Sequence, residues 1–473
     1  MSELLFDYKS VVPMTWVYFS SLLAIAIYFK FSRLWSLRNL DLVCLILLTP
    51  GLVTEAIGRE EGNAYWEHFG YIWLFAIGGL FLIRLLLDPM MVRRPLLEPN
   101  LSVGGMTFLG IALLVFLMAR VATVNPSELN PGGAPSEAVA SGGEGGAAKN
   151  GAAATTAVAS SATTKPAAAG AKARAQNAQR PGYPLLHRLR PIMTQRFSRD
   201  LPESRGMADL PQSGTKLIAS RLIIIFSHLA VVFGLVMIGY WHFGNIKTGV
   251  AAAVLYLMLP YMPAMMGRPD HVVPAAFLVW AIAFYRRPIL SGMFIGLAAG
   301  MIYYPLFLLP LWISFYWQRG LWRFCLGIVV TVSLLVGLLA LNANDLGMFV
   351  HDLKEMFGLW LPITENLEGF WRIPGIKSEY RLPVLALFVV LAGSFALWPA
   401  QKNLGTLMSC TAALMLGAQF WHAHGGGLFM AWYLPLLLLT VFRPNLEDRI
   451  ALSVIGEGWV PRRGAQTGNV KAA

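Results

Sequence analysis

Residues 217–240 read LIASRLIIIFSHLAVVFGLVMIGY, a run in which Arg221 is the one charged side chain. A helix that crosses a bilayer needs about 20 consecutive, predominantly apolar residues. Comparable runs recur along the chain, which has 473 residues, of which 56% are hydrophobic and 13% charged. Soluble domains are roughly a quarter charged, and one soluble core cannot bury so many apolar runs. The sequence therefore predicts an all-α, polytopic bundle of transmembrane helices.

We predict about 13 spans, of which several are short enough to tilt, to merge or to enter the bilayer without crossing it. They lie near residues 11–29, 40–53, 71–87, 106–124, 217–240, 250–266, 272–284, 289–302, 305–317, 324–341, 382–398, 404–420 and 428–442. This division gives N-terminal transmembrane helices (1–124), a linker (125–183), a membrane-surface segment (184–216), a second transmembrane helical domain (217–442) and a tail (443–473).

The insert between the two groups of spans has two parts. Residues 125–183 are rich in Ala, Gly, Ser and Thr and have few large apolar side chains, so they predict a disordered linker. The segment from 184 onward carries apolar residues at helical spacing beside Arg188, which predicts an amphipathic helix on the membrane surface. That helix either serves as a plain anchor or offers Arg188 to a lipid phosphate.

The formal net charge is +12, but the Lys and Arg residues lie mostly between the apolar runs, and no nucleic-acid-binding motif is present. Loops rich in Lys and Arg alternate with loops poor in them, as the positive-inside rule requires. We therefore predict a multi-pass protein of the cell (inner) membrane, with the N-terminus outside and the C-terminus in the cytoplasm. The three cysteines lie inside apolar runs and are interpreted as small buried hydrophobes.

The first polar constellation is Gly267-Arg268-Pro269-Asp270-His271, between two apolar runs on the predicted outer side. Asp270 is either the N-cap of the next helix or a functional carboxylate. In the functional interpretation Arg268 binds phosphate, Asp270 acts as a base or metal ligand, and His271 assists in acid–base chemistry.

The second constellation is Trp421-His422-Ala423-His424-Gly425-Gly426-Gly427, also predicted to face outward. His422 and His424 can share one face of an extended segment and bind a metal, but no third ligand is evident. The alternative is a flexible loop between helices. The loop 342–381 predicts a surface-lying helix, and Glu55, Glu60, Glu61 and Glu67 predict an acidic loop that is either solvated or binds a divalent cation.

The stretch from Arg221 to Trp317 carries three features of a known pattern. A span opens with Ser220-Arg221-Leu222, an outward loop ends in Asp270, and a run from Arg286 to Gly300 leads into Tyr304-Pro305. This part of the chain resembles the polyprenyl-phosphate-sugar-dependent glycosyltransferases of the GT-C fold, especially the bacterial mannosyltransferase-like families. The late run 425–435 is similar to the last spans of such proteins.

The resemblance implies an enzyme that moves a sugar from a lipid phosphate to an acceptor at the outer face. It implies catalytic roles for Asp270, His271 and Glu128. It also implies substrate-binding roles for Arg188, Arg221, Arg268, Tyr303, His422 and His424. Two positions depart from the family pattern: Glu128 is the one acidic residue just after the span at 106–124, and Tyr303 stands where relatives often have Lys.

Two other functions fit the same sequence. One is a transporter or flippase of a lipid-linked substrate, and the other is a catalytically inactive membrane protein that kept the fold. The expected partners are membrane lipid and a polyprenyl-phosphate sugar, without nucleic acid. The sequence leaves the sugar, the acceptor and the cofactor open, a divalent cation being one possibility.

Overall fold

The structure is a computed structural model that describes residues 13–32, 34–91, 99–123, 212–261, 265, 267–343, 345–359, 367–399 and 402–444. Every regular element in these ranges is a helix, which confirms the all-α prediction. The α-helices are α1 (Pro13–Tyr28), α2 (Leu37–Glu61), α3 (Ala64–Leu87), α4 (Val103–Thr123), α5 (Gln212–Trp241), α6 (Ile246–Met258), α7 (Pro269–Ala283), α8 (Pro288–Met301), α9 (Leu309–Tyr316), α10 (Leu321–Asn342), α11 (Leu346–Phe357), α12 (Arg381–Ser394), α13 (Leu404–Trp421) and α14 (Leu434–Phe442). Short 3-10 helices lie at Asp88–Met90, Tyr304–Leu308, Gly369–Arg372, Ser378–Tyr380 and Met430–Trp432.

Six of the described helices are long and apolar enough to cross a membrane: α2, α3, α4, α5, α10 and α13. Other apolar helices are shorter, such as α6 with 13 residues and α7 with 15. At about 1.5 Å of rise per residue, α6 and α7 extend about 20 and 22 Å, against a hydrocarbon core of about 30 Å. The described helices therefore have membrane character, and six of them have full spanning length, while the count of about 13 spans stays a prediction.

Two predicted elements differ in the structure. The predicted span 428–442 is helical only from Leu434, because residues with positive φ (Gly425 and Gly427) and a 3-10 turn precede α14. The predicted acidic loop is two helices: α2 continues to Glu61, and α3 begins at Ala64 after a tight turn. Gly62 in that turn has φ of 66° and caps α2, a conformation that suits glycine because it lacks a Cβ.

One end of the bundle is joined by buried ion pairs. Arg84 on α3 bonds Asp41 on α2 and Asp88 at 2.9 Å each, and Arg443 after α14 bonds Asp88 at 2.6 Å. This end, defined by Arg84 and Arg443, is named the arginine end. It fixes the start of α2 and the ends of α3 and α14 at one level of the bundle.

Helix α13 lies in the middle of the bundle. In its spanning window 94% of the residues are buried, the largest share among the six candidate spans. On one side Gly78 of α3 approaches Leu416 and Phe420 of α13, and on another Phe388 of α12 packs at Gly417. The N-terminal helix α3 therefore packs on the centre of the bundle.

Candidate functional site

The structure brings the two polar constellations together at the end of the bundle opposite the arginine end. The Trp432 indole Nε1 donates a hydrogen bond to the Asp270 backbone oxygen at 3.0 Å. The Phe429 ring contacts two imidazoles, with centroid distances of 4.4 Å to His271 and 4.6 Å to His422. This end is named the histidine end after His271 and His422.

The start of α7 positions the acidic member of the cluster. Arg268 is the N-cap residue, Pro269 occupies the first helical turn and Asp270 follows it, so the N-cap interpretation of Asp270 is wrong. Arg268 Nη2 lies 3.1 Å from Asp270 Oδ2, and the two side chains are 20% and 14% exposed. A carboxylate and a guanidinium are thus held side by side at the edge of a largely buried cluster.

His271 follows directly and is completely buried. Its Nδ1 lies 2.8 Å from the Tyr261 hydroxyl, which itself accepts a hydrogen bond from the Ala431 N–H at 3.1 Å. His271 Nε2 lies 3.8 Å from Asp270 Oδ2, beyond hydrogen-bond distance. Tyr261, which precedes α7, and Ala431, from a distant segment, therefore orient this imidazole beside the carboxylate.

His422 caps the end of α13 and is 1% exposed. Its Nδ1 accepts a hydrogen bond from the His424 backbone N–H at 3.0 Å, while His424 Nδ1 lies 3.8 Å from Glu368 Oε2. Burial lowers the pKa of His422 well below 6.5, and the neighbouring His424 and Arg381 lower it further. His422 is therefore a neutral imidazole at neutral pH.

Aromatic residues and one further cation form the wall beside His422. The Tyr304 ring centroid lies 5.4 Å from His422 and 5.2 Å from Trp432, and the Tyr303 hydroxyl donates to the Tyr304 hydroxyl at 2.8 Å. Arg381, the first residue of α12, donates from Nε to the Trp421 oxygen at 2.6 Å and lies over the Trp421 ring. Tyr303 therefore belongs to the cluster.

Sequence reasoning did not single out five of these residues: Tyr261, Glu368, Arg381, Phe429 and Trp432. Tyr261, Phe429 and Trp432 read as ordinary apolar residues in near-spanning runs, and only their hydrogen bonds and ring contacts mark them. The one signal for Arg381 was a cation at the start of an apolar run, a position that also fits an orientation signal.

The remaining predicted site residues lie elsewhere. Arg221 is partly exposed near the start of α5, two residues before Ile223, which packs beside Val273 and Met301. It is at the histidine end but is not among the residues that the contacts above join. Glu128 and Arg188 lie outside the described residues.

The cluster is recessed relative to the long helices. Arg443, at the end of α14, is paired with Asp88 at the end of α3. From that common level α14, with nine residues, rises about 14 Å, whereas α3, with 24 residues, rises about 36 Å. Residues 422–433 and their hydrogen-bond partner Asp270 therefore lie below the far end of α3. Irregular backbone at such depth is tolerated where protein surrounds it.

The hydrogen bonds also bear on metal binding. Because a backbone N–H donates to His422 Nδ1, that nitrogen offers no lone pair to a metal shared with His424. A different group of possible metal ligands lies on α11. It consists of His351, Asp352 and Glu355, each of which has one potential ligand atom within 4.8 Å of those of the other two.

Comparison of the chain with protein-family models, with curated proteins and with solved structures found no match.

Proposed function

We propose that the protein is a membrane glycosyltransferase that moves a sugar from a polyprenyl-phosphate donor to an acceptor at one face of the membrane. The observation that supports this most is the cluster of Asp270, Arg268 and two buried imidazoles, recessed among apolar helices. Ionisable residues at such depth are costly and commonly functional. In this proposal a lipid-linked phosphate enters the cluster from the bilayer, and the partly exposed carboxylate of Asp270 beside it takes up a proton.

In the proposed reaction Asp270 acts as the general base. It takes the proton of an acceptor hydroxyl, whose oxygen forms a bond to the anomeric carbon of the donor sugar. The bond between that carbon and the phosphate oxygen breaks, and the polyprenyl phosphate leaves with the bonding electron pair. Arg268, 3.1 Å from Asp270, stabilises the charge on the departing phosphate.

The proposal extends to orientation and location. The histidine end faces outward, the arginine end faces the cytoplasm, and the protein resides in the cell membrane with its N-terminus outside. The contacts support this arrangement because the loops that the positive-inside rule assigns to one side contribute to one end of the bundle. Arg268, His422 and Arg381 meet at the histidine end, and Asp88 and Arg443 meet at the other.

The test is sugar transfer from a labelled polyprenyl-phosphate sugar by membranes that contain the full chain. We expect Asp270→Asn to lower transfer at least about 100-fold, since a positioned general base contributes about 10²–10⁴-fold. Glu128→Gln tests the second predicted carboxylate in the same assay. Glu379→Gln is the matched control, because Glu379 is exposed at the histidine end outside the cluster. Wild-type transfer by Asp270→Asn at normal protein level contradicts the assignment.

A transporter of lipid-linked substrates is the second candidate, favoured by the short helices and the irregular chain at 422–433. The two functions are separated by reconstituting the protein in vesicles that carry a polyprenyl-phosphate sugar. A transporter moves the lipid between leaflets without consuming it. The glycosyltransferase consumes the donor and releases polyprenyl phosphate when an acceptor is present.

A further inference from the structure

We propose that His271 and His422 are a pair of neutral Nε2–H donors that, together with Arg268, bind the phosphate of the lipid donor and stabilise it as it leaves. The inference rests on the proposed function for the identity of the anion. It assigns His271 to phosphate binding, where the sequence predicted an acid–base role. It also makes Tyr261 a positioning residue.

The tautomer of His422 follows from its backbone partner. A peptide N–H can only donate, so the His424 N–H occupies the lone pair of His422 Nδ1 at 3.0 Å. In a neutral imidazole one nitrogen carries the proton and the other accepts, and His422 is neutral because of its lowered pKa. The proton of His422 therefore resides on Nε2, which is a buried donor.

The tautomer of His271 follows from a chain of two hydrogen bonds. The Ala431 N–H donates to the Tyr261 oxygen, and the Tyr261 hydroxyl proton then has His271 Nδ1, at 2.8 Å, as its acceptor. The reverse arrangement would leave the proton of a completely enclosed hydroxyl without an acceptor, which costs its full desolvation penalty. His271 Nδ1 therefore accepts, and its proton resides on Nε2.

Both Nε2 atoms are buried, in side chains that are 0% and 1% exposed, and neither has a hydrogen-bond partner among the residues that the structure describes. Buried donors in folded proteins are nearly always paired, so two such donors in one cluster call for an acceptor that the described part of the chain does not supply. Both imidazole rings contact Phe429, and the Arg268 guanidinium lies 5.8 Å from the centroid of the same ring. Two N–H donors and one cation around a single ring suit an anion with several oxygens.

The reaction gives these donors a reason to be neutral and fixed. A polyprenyl-phosphate sugar is a phosphodiester with one negative charge, and its departure as a phosphate monoester adds a second. Donors held by the protein toward the growing charge stabilise the transition state more than the ground state. Neutral imidazoles do this without placing two further cations beside Asp270, whose carboxylate must stay a base.

The test compares the dissociation constants of a polyprenyl phosphate and of the matching polyprenol for the full chain in detergent. The informative pair of substitutions is His422→Asn and His422→Gln, with the same pair at His271. The Asn oxygen replaces Nδ1 as acceptor and leaves the Nε2 position empty, whereas the Gln amide places an N–H there. We expect each Asn variant to weaken polyprenyl phosphate binding at least about tenfold, with Gln retaining more of it.

His242→Asn is the matched control. His242 is also buried, but its Nε2 bonds the Ala283 oxygen at the far end of α7. We expect this variant to unfold more readily and to keep the wild-type dissociation constant. The thermal midpoint of every variant shows whether it is folded.

The outcomes separate this inference from the proposed function. If both Asn variants bind polyprenyl phosphate as the wild type does, the assignment of phosphate binding to His271 and His422 is overturned and the glycosyltransferase proposal stands. If the wild type does not prefer polyprenyl phosphate over polyprenol, the proposed function is overturned. Titration with inorganic phosphate then decides the donor pair: binding that both Asn substitutions weaken supports it, and no such binding overturns it.

Discussion

The ion pair of Arg59 and Glu55 joins a buried carboxylate to an exposed guanidinium. The Glu55 side chain is 1% exposed and accepts hydrogen bonds from Arg59 and from the Tyr71 hydroxyl at 3.1 Å. Arg59 is 52% exposed. Removing one partner leaves the other charge unpaired, and the resulting loss of stability depends on whether that charge can reach water. Removing the cation of this pair should therefore destabilise the protein more than removing the carboxylate charge.

We expect Arg59→Leu to destabilise the protein by about 1–3 kcal/mol, because it leaves the Glu55 carboxylate buried beside a single hydroxyl donor. Glu55→Gln should cost less, since Arg59 stays solvated and the amide oxygen still accepts from Tyr71. Thermal unfolding in one detergent compares the variants with the wild type. A larger loss for Glu55→Gln contradicts the asymmetry.

His422 gives a dependence of stability on pH. Its pKa is lowered in the folded protein, so below pH 6.5 the unfolded chain binds a proton that the folded chain does not. Stability contributed by this group is therefore present above pH 6.5 and falls as the pH drops, by at most about 1.4 kcal/mol per pH unit. We expect His422→Asn to flatten the fall in thermal midpoint between pH 7 and 5. An unchanged slope contradicts a neutral, buried His422.

At the scale of the helix, close packing depends on glycines that face a neighbouring backbone. A Cβ on Gly292 of α8 would lie 2.2 Å from the Phe324 oxygen of α10, and a Cβ on Gly327 of α10 would lie 2.2 Å from the Ile289 oxygen of α8. Such contacts let two helices in a membrane approach closely, where dispersion and weak polar interactions hold them. The α8–α10 pair therefore depends on both positions.

We expect Gly292→Ala to lower the free energy of unfolding by about 1–3 kcal/mol, because the two helices must separate. Gly337 on α10 is the control, since a Cβ there meets nothing within 4 Å. Gly337→Ala should be neutral or stabilising by up to about 1 kcal/mol, as alanine favours the helix. Equal midpoints for the two variants contradict this account of the packing.

The sequence predicted most described helices because their apolar runs are long and continuous. It missed the break before Leu434 because 428–433 is apolar, and apolarity does not distinguish a helix from buried irregular chain. It found both polar constellations from their residue types. It did not predict that they meet, because residue spacing indicates local structure only. The contacts of Phe429 with His271 and His422 join segments about 150 residues apart.

At the scale of the molecule, the chain on both sides of the 125–211 segment forms one packed body. The Tyr28 hydroxyl of α1 donates to the Ala251 oxygen of α6 at 2.8 Å, and the Phe75 ring stacks on Phe370 with centroids 4.0 Å apart. Arg443 adds a buried ion pair to Asp88. The N-terminal helices are therefore part of the support for the histidine end.

We expect residues 1–150 and 180–473, expressed together as separate chains, to copurify from detergent extracts, because apolar contacts and buried ion pairs join them. Expression of 180–473 alone should give little folded protein, since it exposes the face of α13 that packs on Gly78 of α3. Arg443→Met in the second chain, which leaves Asp88 buried with one fewer cation, should lower the yield of the complex. Folded 180–473 alone contradicts the dependence.

The proposed orientation has a direct test in intact cells. Glu61→Cys lies at the exposed last residue of α2, at the histidine end, and Trp35→Cys lies at the arginine end, where Trp35 is 99% exposed. With Cys44, Cys325 and Cys410 replaced by alanine, a membrane-impermeant thiol reagent should label Glu61→Cys and not Trp35→Cys. Labelling in the opposite sense reverses the orientation.

The burial of α13 has a consequence for how the chain is made. Its mean hydropathy of 1.2 is the lowest of the six candidate spans, which otherwise range from 1.9 to 2.7, and little of its surface is left for lipid. Such a segment partitions weakly into the bilayer by itself when it emerges from the ribosome. We expect the earlier helices to be inserted first and to provide the protein surface on which α13 packs as it leaves the translocation channel. Membrane insertion then follows the order of the chain.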